Sequence, residues 1–174
     1  MNIADERLQQ IYQKTIAQLE AAAIQWQMWE HEPILDFATD TRIATQLGWV
    51  AEPTKSLFLQ LKDGRYCIYL THRDRRLDSK AVRQLLGSRP SVCTPQVMQE
   101  ITGCLPGAVC PFGQEEAIVM VADASLKGCK EIMFTPGRPE LTIAIAGCDL
   151  AAVFAVLPNP TFWLNSVVVP LQKP

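Results

Sequence analysis

Residues 54–71 read TKSLFLQLKDGRYCIYLT, two apolar-rich runs, Thr54 to Lys62 and Arg65 to Thr71, joined through Lys62-Asp63-Gly64-Arg65. An Asp-Gly pair between two such runs predicts a β-hairpin. Outward from this hairpin, helical and strand patterns are interspersed. Upstream, Asp5 to Ala23 places Leu8, Ile11, Tyr12, Leu19 and Ala22 on one stripe of an amphipathic helix. Trp26 to Glu30 alternates like a strand that His31-Glu32-Pro33 ends, and Asp40 is placed to cap a short helix reaching Leu47 before Gly48.

Downstream, Asp78 caps a predicted helix to Leu86 with Gly87 at its end, and Thr94-Pro95 opens another that stops at Gly103. Leu105 to Gly113 reads LPGAVCPFG, too punctuated by proline and glycine for a helix or a central strand. Strands are expected at Ala117 to Val121, Glu131 to Phe134 and Leu141 to Ile145, followed by a helix from Asp149 to Val156. With hairpin pairing but no regular βαβ rhythm, the class is α+β: a central, mixed, twisted β-sheet flanked by helices. Length bounds the organisation at one domain over residues 1–174, with residues 156–174, including Pro158, Pro160, Trp163 and Pro170, as an irregular C-terminal strap.

Composition narrows the function classes. Apolar residues make up 48% and charged residues 20%, and no segment approaches the roughly 20 unbroken apolar residues of a membrane span. Met1 to Glu20 carries Asp5, Glu6 and Glu20 and has no apolar stretch of the kind a secretory signal needs, so the cytoplasm is the expected compartment. The six cysteines, Cys67, Cys93, Cys104, Cys110, Cys129 and Cys148, show no CxxC spacing and no neighbouring histidine, which argues against a zinc set and for small buried hydrophobes. A net charge of −2 excludes a uniformly basic nucleic-acid binder. One local exception stands out: Arg73, Arg75, Arg76, Lys80, Arg83 and Arg89 lie among only two acids, Asp74 and Asp78. This stretch fits either a phosphate-docking patch or a solvated helix face.

Familiar catalytic constellations are missing. His31 and His72 are the two histidines, in no metal motif and near no nucleophile elbow. Two features remain. Lys55 sits near the start of an otherwise apolar strand, where its ammonium either is solvated or reaches a pocket edge. The Gly107-Ala108-Val109-Cys110-Pro111-Phe112-Gly113 loop either is a simple turn or presents backbone N–H groups to a developing oxyanion.

Thr54-Lys55-Ser56-Leu57-Phe58-Leu59, Leu77-Asp78, Glu100-Ile101-Thr102-Gly103, Gly107-xxx-Pro111-Phe112-Gly113 and Ala122-Asp123-Ala124-Ser125-Leu126 follow one another in an order that resembles the YbaK/ProX-type aminoacyl-tRNA deacylases. That fold also occurs as the editing insertion of bacterial prolyl-tRNA synthetases, and the resemblance covers about residues 8 to 155. It implies hydrolysis of the ester between an amino acid and the terminal adenosine of tRNA, with no metal, cofactor or covalent enzyme intermediate. It assigns the hallmark lysine to Lys55 and the GxxxP loop to Gly107 and Pro111. Thr54, Ser56, Ala108, Val109, Cys110, Phe112, Asp123, Thr135 and Gly137 are then expected around the substrate, and Arg73, Arg75, Arg76, Lys80 and Arg83 at the tRNA body. The implied partner is aminoacylated tRNA, with an aminoacyl-tRNA synthetase as a second candidate, and neither membrane nor DNA.

Two departures bear on specificity. Some alanine-selective members carry a histidine where this chain has Thr135, and Ser56 matches neither the alanine- nor the cysteine-selective version of the residue after the lysine. The expected substrates are therefore small residues, alanine, cysteine, serine or threonine, on a non-cognate tRNA such as that for proline. Asp123 reads equally as a cap for the Ser125-Leu126 turn. Competing with the hydrolase are a non-catalytic module that holds tRNA or a synthetase, and a thiol enzyme using Cys110 or Cys104.

Overall fold

The computed structural model describes residues 2–165. Helices α1 (Ile3–Ala21), α2 (Phe37–Leu47), α3 (Ser79–Leu86), α4 (Pro95–Thr102) and α5 (Leu150–Val156) are interspersed with eight strands. These are β1 (Trp26–Glu30), β2 (Glu52–Leu61), β3 (Tyr66–His72), β4 (Pro90–Val92), β5 (Val119–Asp123), β6 (Glu131–Phe134), β7 (Leu141–Ala146) and β8 (Thr161–Leu164). They form one mixed sheet in the order β1-β7-β6-β2-β3-β5-β8, with β4 branching from β2.

The expected hairpin is the centre of that sheet. Strands β2 and β3 pair antiparallel from Thr54 opposite His72 to Gln60 opposite Tyr66. Beyond β3, β5 and then β8 add in parallel. The other edge of β2 is shared: β6 takes only Glu52 and Pro53, in parallel, and β4 takes Leu59 to Leu61.

Side chains alternate across β2, β3 and β5 and feed two cores. Phe58, Ile68, Leu70, Met120 and Ala122 pack with Ile11 and Leu19 of α1, Met98 of α4, and Leu150, Val153 and Phe154 of α5. Leu59, Leu61, Cys67, Tyr69, Val119 and Val121 pack with Val82 and Leu86 of α3. A strand buried on both faces needs apolar residues at consecutive positions, which is why β5 reads Val-Met-Val-Ala before its aspartate.

Helix boundaries follow the capping residues. Asp78 accepts the Ala81 N–H at 2.9 Å and Thr94 the Val97 N–H at 3.2 Å, with Gly87 and Gly103 left-handed at the C-terminal ends. The start of α2 differs from expectation. Asp36, not Asp40, is the cap, accepting the Thr39 N–H at 2.7 Å, so α2 begins at Phe37 and the Asp40 carboxylate is released for another partner. Strand β5 starts two residues later than predicted, because Glu115 to Ile118 closes a turn in which the Ile118 N–H donates to the Glu115 carbonyl.

The segment after Leu157 is also more ordered than a strap. Pro158 and Pro160 suggested irregular chain, yet Thr161 to Leu164 pairs with Met120 to Asp123 as β8. Proline is compatible with the flank of an edge strand, and the Pro160 carbonyl accepts the Met120 N–H at 2.8 Å. Trp163 is held between Phe154, with ring centroids 4.7 Å apart, and the Lys127 ammonium, 4.2 Å from its ring centroid. Pro170 lies outside the described residues. Among the described residues no helix is long and apolar enough to cross a membrane.

Candidate active site

After Pro53, β2 parts from β6, and no described strand joins its edge again until β4 at Leu59. Successive strand residues aim their backbone groups at opposite edges. The Pro53 carbonyl accepts the Arg73 N–H on the β3 side, and the Phe58 carbonyl accepts the Cys93 N–H on the other side. Thr54 and Ser56 therefore turn their backbone groups toward the open edge. A cavity of about 450 Å³ lies there. Its walls are Thr54, Lys55, Ser56 and Leu57 of β2, the Ile34–Phe37 segment with Asp40, Gly107 and Val109 of the GxxxP loop, Met133, Phe134 and Thr135 at the end of β6, and Thr142 of β7. The Thr54 hydroxyl donates to the Met133 carbonyl at 2.7 Å and pins the two strands where they diverge.

Lys55 is half-buried on this wall. It forms no ion pair among the described residues, although two carboxylates line the same cavity. Both are already engaged. Asp36 caps α2, and Asp40 meets the Arg73 guanidinium at 3.0 Å. A positive charge without a counter-ion at a concave apolar site is suited to an anionic or strongly polarised ligand atom.

The GxxxP loop is shaped by close packing. Gly107 has φ +85°, and a methyl group there would collide with the Leu35 carbonyl oxygen. Glycine thus permits both the left-handed backbone and the approach of the Ile34–Phe37 segment that closes the cavity. Not every loop amide is free to serve as a donor. The Ala108 N–H is bound to the Leu105 carbonyl at 2.9 Å, the Cys110 N–H faces the Cys104 sulfur at 3.5 Å, and Pro111 has none. Gly107 and Val109, the two loop residues that line the cavity, have amides with no partner among the described residues.

Of the residues singled out in the sequence, the cavity gathers Thr54, Lys55, Ser56, Gly107, Val109 and Thr135. Ala108, Cys110, Pro111, Phe112 and Gly137 are buried behind that lining. Phe112 stands edge-on to Phe134 at 5.1 Å and so backs the wall, and the Gly137 N–H donates to the Thr135 hydroxyl at 3.2 Å. Cys110 is fully buried with its sulfur 3.4 Å from the Thr15 hydroxyl, and burial pushes its thiol pKa up, away from the thiolate that a nucleophile requires.

Asp123 belongs to a different cluster. Its carboxylate accepts from the Thr71 hydroxyl at 2.9 Å, the Ser125 N–H at 3.0 Å and hydroxyl at 2.7 Å, and Arg75 at 2.8 Å. Burial raises its pKa, but the hydrogen bonds from Ser125 and Thr71 and the charge of Arg75 outweigh it and hold the carboxyl below its usual value. His72 joins this cluster, with its Nδ1 2.9 Å from Glu52 and its Nε2 2.8 Å from the Ser125 hydroxyl.

The basic stretch is divided in the same way. Arg73 and Arg75 have carboxylate partners, whereas Arg76, Lys80 and Arg83 are exposed. Sequence reading missed Leu35, Asp36, Phe37, Asp40, Met133 and Thr142 as cavity residues. The one local signal was an aromatic residue directly after a capping aspartate, where a helix start gives it no reason to be buried.

The family model for the aminoacyl-tRNA editing domain matches residues 36–153. The chain is 26% identical over 144 residues to the multifunctional Ser/Thr-tRNA deacylase ProXp-y of Escherichia coli (strain K12), a match spanning 79% of this chain and 84% of that protein. Among solved structures it is similar to hypothetical protein APE2540, with a TM-score of 0.73 at 21% identity over 87% of this chain and 98% of that one. It is also similar to a candidate trans-editing enzyme for prolyl-tRNA synthetase, with a TM-score of 0.65 at 22% identity over 90% and 97% of the two chains. Both structural likenesses are likenesses of fold.

Proposed function

The chain belongs to the aminoacyl-tRNA editing domain family, and from that premise we propose that it is a hydrolase that releases a small, wrongly attached amino acid from tRNA. The observation that carries this reading is the meeting, in one cavity of about 450 Å³, of the Lys55 ammonium and the amides of Gly107 and Val109, none of which has a partner among the described residues. A volume of this size is typical of small-ligand sites.

In the proposed reaction the acylated 3′ end enters with its ester carbonyl oxygen toward the Gly107 and Val109 amides, while Lys55 supplies positive charge to the same end. Water, oriented by the neighbouring ribose hydroxyl, attacks the carbonyl carbon. The tetrahedral oxyanion accepts hydrogen bonds from the loop, and a single such donor is worth roughly 3 kcal/mol of transition-state stabilisation. Collapse breaks the acyl C–O bond. The water proton passes to the ribose oxygen, releasing free amino acid and intact tRNA. Because an aminoacyl ester is already labile, positioning and oxyanion stabilisation can suffice without a nucleophilic side chain.

Alanine, cysteine, serine and threonine remain the proposed substrates, with the hydroxylated pair favoured. Thr54, Thr135 and Thr142 have hydroxyl partners within the protein, whereas the Ser56 hydroxyl, also on the wall, has none among the described residues and can meet a substrate hydroxyl. A relative that covers most of the chain is named for serine and threonine. The exposed Arg76, Lys80 and Arg83 are proposed to hold the tRNA backbone. The need for such an enzyme is energetic: a synthetase pocket separates residues differing by one methylene by only about 1–3 kcal/mol.

Incubating the protein with tRNAs carrying each small amino acid, and with tRNAs carrying leucine or phenylalanine, tests the reading. Release of seryl and threonyl groups, with the bulky ones retained, is expected. Retention of every acyl group overturns it.

A further inference from the structure

Phe37 is 60% exposed, yet it lines the cavity and is firmly placed. The Asp36 cap fixes it as the first residue of α2. Over its ring, with Cζ 5.8 Å from the centroid, lies Arg73. Arg73 is itself anchored, by Asp40 at 3.0 Å and by its own N–H to the Pro53 carbonyl at 3.0 Å. Leu35, 44% exposed, adds apolar surface to the same wall. An accessible aromatic ring with a guanidinium alongside, opening on a cavity, is the combination by which proteins hold an unpaired base: stacking supplied by the ring, with the cation adding to it.

The occupant follows from the chemistry of the site and rests on the function proposed above. If the ester carbonyl lies between Lys55 and the Gly107 amide, the leaving group is the ribose of the terminal nucleoside. Its base must then sit within one nucleoside's length of the cavity, at its rim. We propose that Phe37, held by Arg73, is the stacking platform for the terminal adenine of the substrate, and that it thereby positions the ester for attack.

The test compares two non-hydrolysable probes, 3′-serylamino-3′-deoxyadenosine and the same seryl-amino sugar without its base, by NMR titration of the full chain. Stacking predicts that the wild type binds the nucleoside roughly 5- to 100-fold more tightly than the baseless sugar. Phe37→Ala and Phe37→Leu should lose most of that ratio, and Phe37→Trp should keep it, while binding of the baseless sugar stays constant throughout. A ratio unchanged in Phe37→Ala overturns the platform, as does a wild-type ratio near one in a protein that deacylates mischarged tRNA. Wild-type protein that neither binds the nucleoside nor deacylates tRNA overturns the proposed function, and the platform with it. Because the side chain is largely exposed and alanine favours helix, the fold is expected to survive the substitution.

Discussion

Lys55 and Asp123 both neighbour Thr71, one across the β2–β3 ladder and the other through the Thr71 hydroxyl, but their electrostatic surroundings are opposite. Asp123 is buried and receives hydrogen bonds from Thr71, Ser125 and Arg75. Lys55 lies two strands away, on a cavity wall, with no ion pair among the described residues. A buried charge whose neighbours compensate it can secure a fold, and its partners leave little capacity for a substrate. An uncompensated charge beside a cavity contributes little to the fold and keeps its field for a ligand. Asp123 with its turn is read as structural and Lys55 as functional, although both belong to the motifs that resemble the editing family.

The largest expected effect separates the two. Lys55→Ala should lower the deacylation rate by at least two orders of magnitude, on the order of 3 kcal/mol of transition-state stabilisation, with a melting temperature close to that of the wild type. Asp123→Ala should do the reverse, costing about 2–3 kcal/mol of stability. The Thr71 and Ser125 donors would lose their acceptor, while Arg75, with 41% of its side chain exposed, would remain partly hydrated. Paired thermal melts and single-turnover rates for the two variants give the comparison directly, and a Lys55→Ala protein of full activity would break it.

The same contrast predicts a pH dependence. The Asp123 carboxyl is held below its ordinary value in the folded chain, so its contribution is complete above an unfolded pKa of about 4 and is lost as pH falls through the folded value. Melting temperatures measured from about pH 6 down to about pH 3 should fall more steeply for the wild type than for Asp123→Ala. Parallel curves would mean that the cluster is not coupled to folding.

Gly107→Ala is expected to have an intermediate effect, lowering the rate roughly tenfold and stability by about 1–3 kcal/mol, because the added methyl meets the Leu35 carbonyl at a positive φ. The smaller Ser56→Ala change should leave turnover of alanyl-tRNA nearly unaltered and slow seryl-tRNA by a few-fold if the free hydroxyl reads the substrate. Together they sharpen the comparison by separating the shape of the cavity from its charge.

What the sequence made legible was local. The Asp63-Gly64 hairpin and the Asp78 and Thr94 caps depend on residues a few positions apart, and the structure places them as read. What escaped depends on distant partners. β4 is three residues long and begins with proline, and β8 follows Pro158 and Pro160, so each is a strand only because an edge of the sheet is available to it. The cavity arises because β2 leaves β6 after two pairs, a divergence that no pattern within either strand encodes. Lys55 and Gly107 could be singled out as residues. That Gly107 abuts Leu35, that Phe37 lines the opening, and that the cavity-lining Gly107 and Val109 amides have no partner among the described residues are consequences of packing across tens of residues.

Cys110 provides the smallest expected effect and the clearest limit on the chemistry. It sits in the middle of the GxxxP loop, directly after Val109, whose amide is assigned to the oxyanion, and sequence alone left it open as a nucleophile or as a wall of the pocket. Its side chain turns instead into the core beside Thr15, where burial disfavours the thiolate. Cys110→Ala should therefore reduce stability by about 1 kcal/mol through lost packing and leave the rate and the order of preference among acyl groups unchanged. Iodoacetamide should reach the exposed Cys148 and spare activity. Loss of turnover in Cys110→Ala with an unaltered melting temperature would return the reaction to thiol chemistry and remove the role given to Lys55 and the free amides.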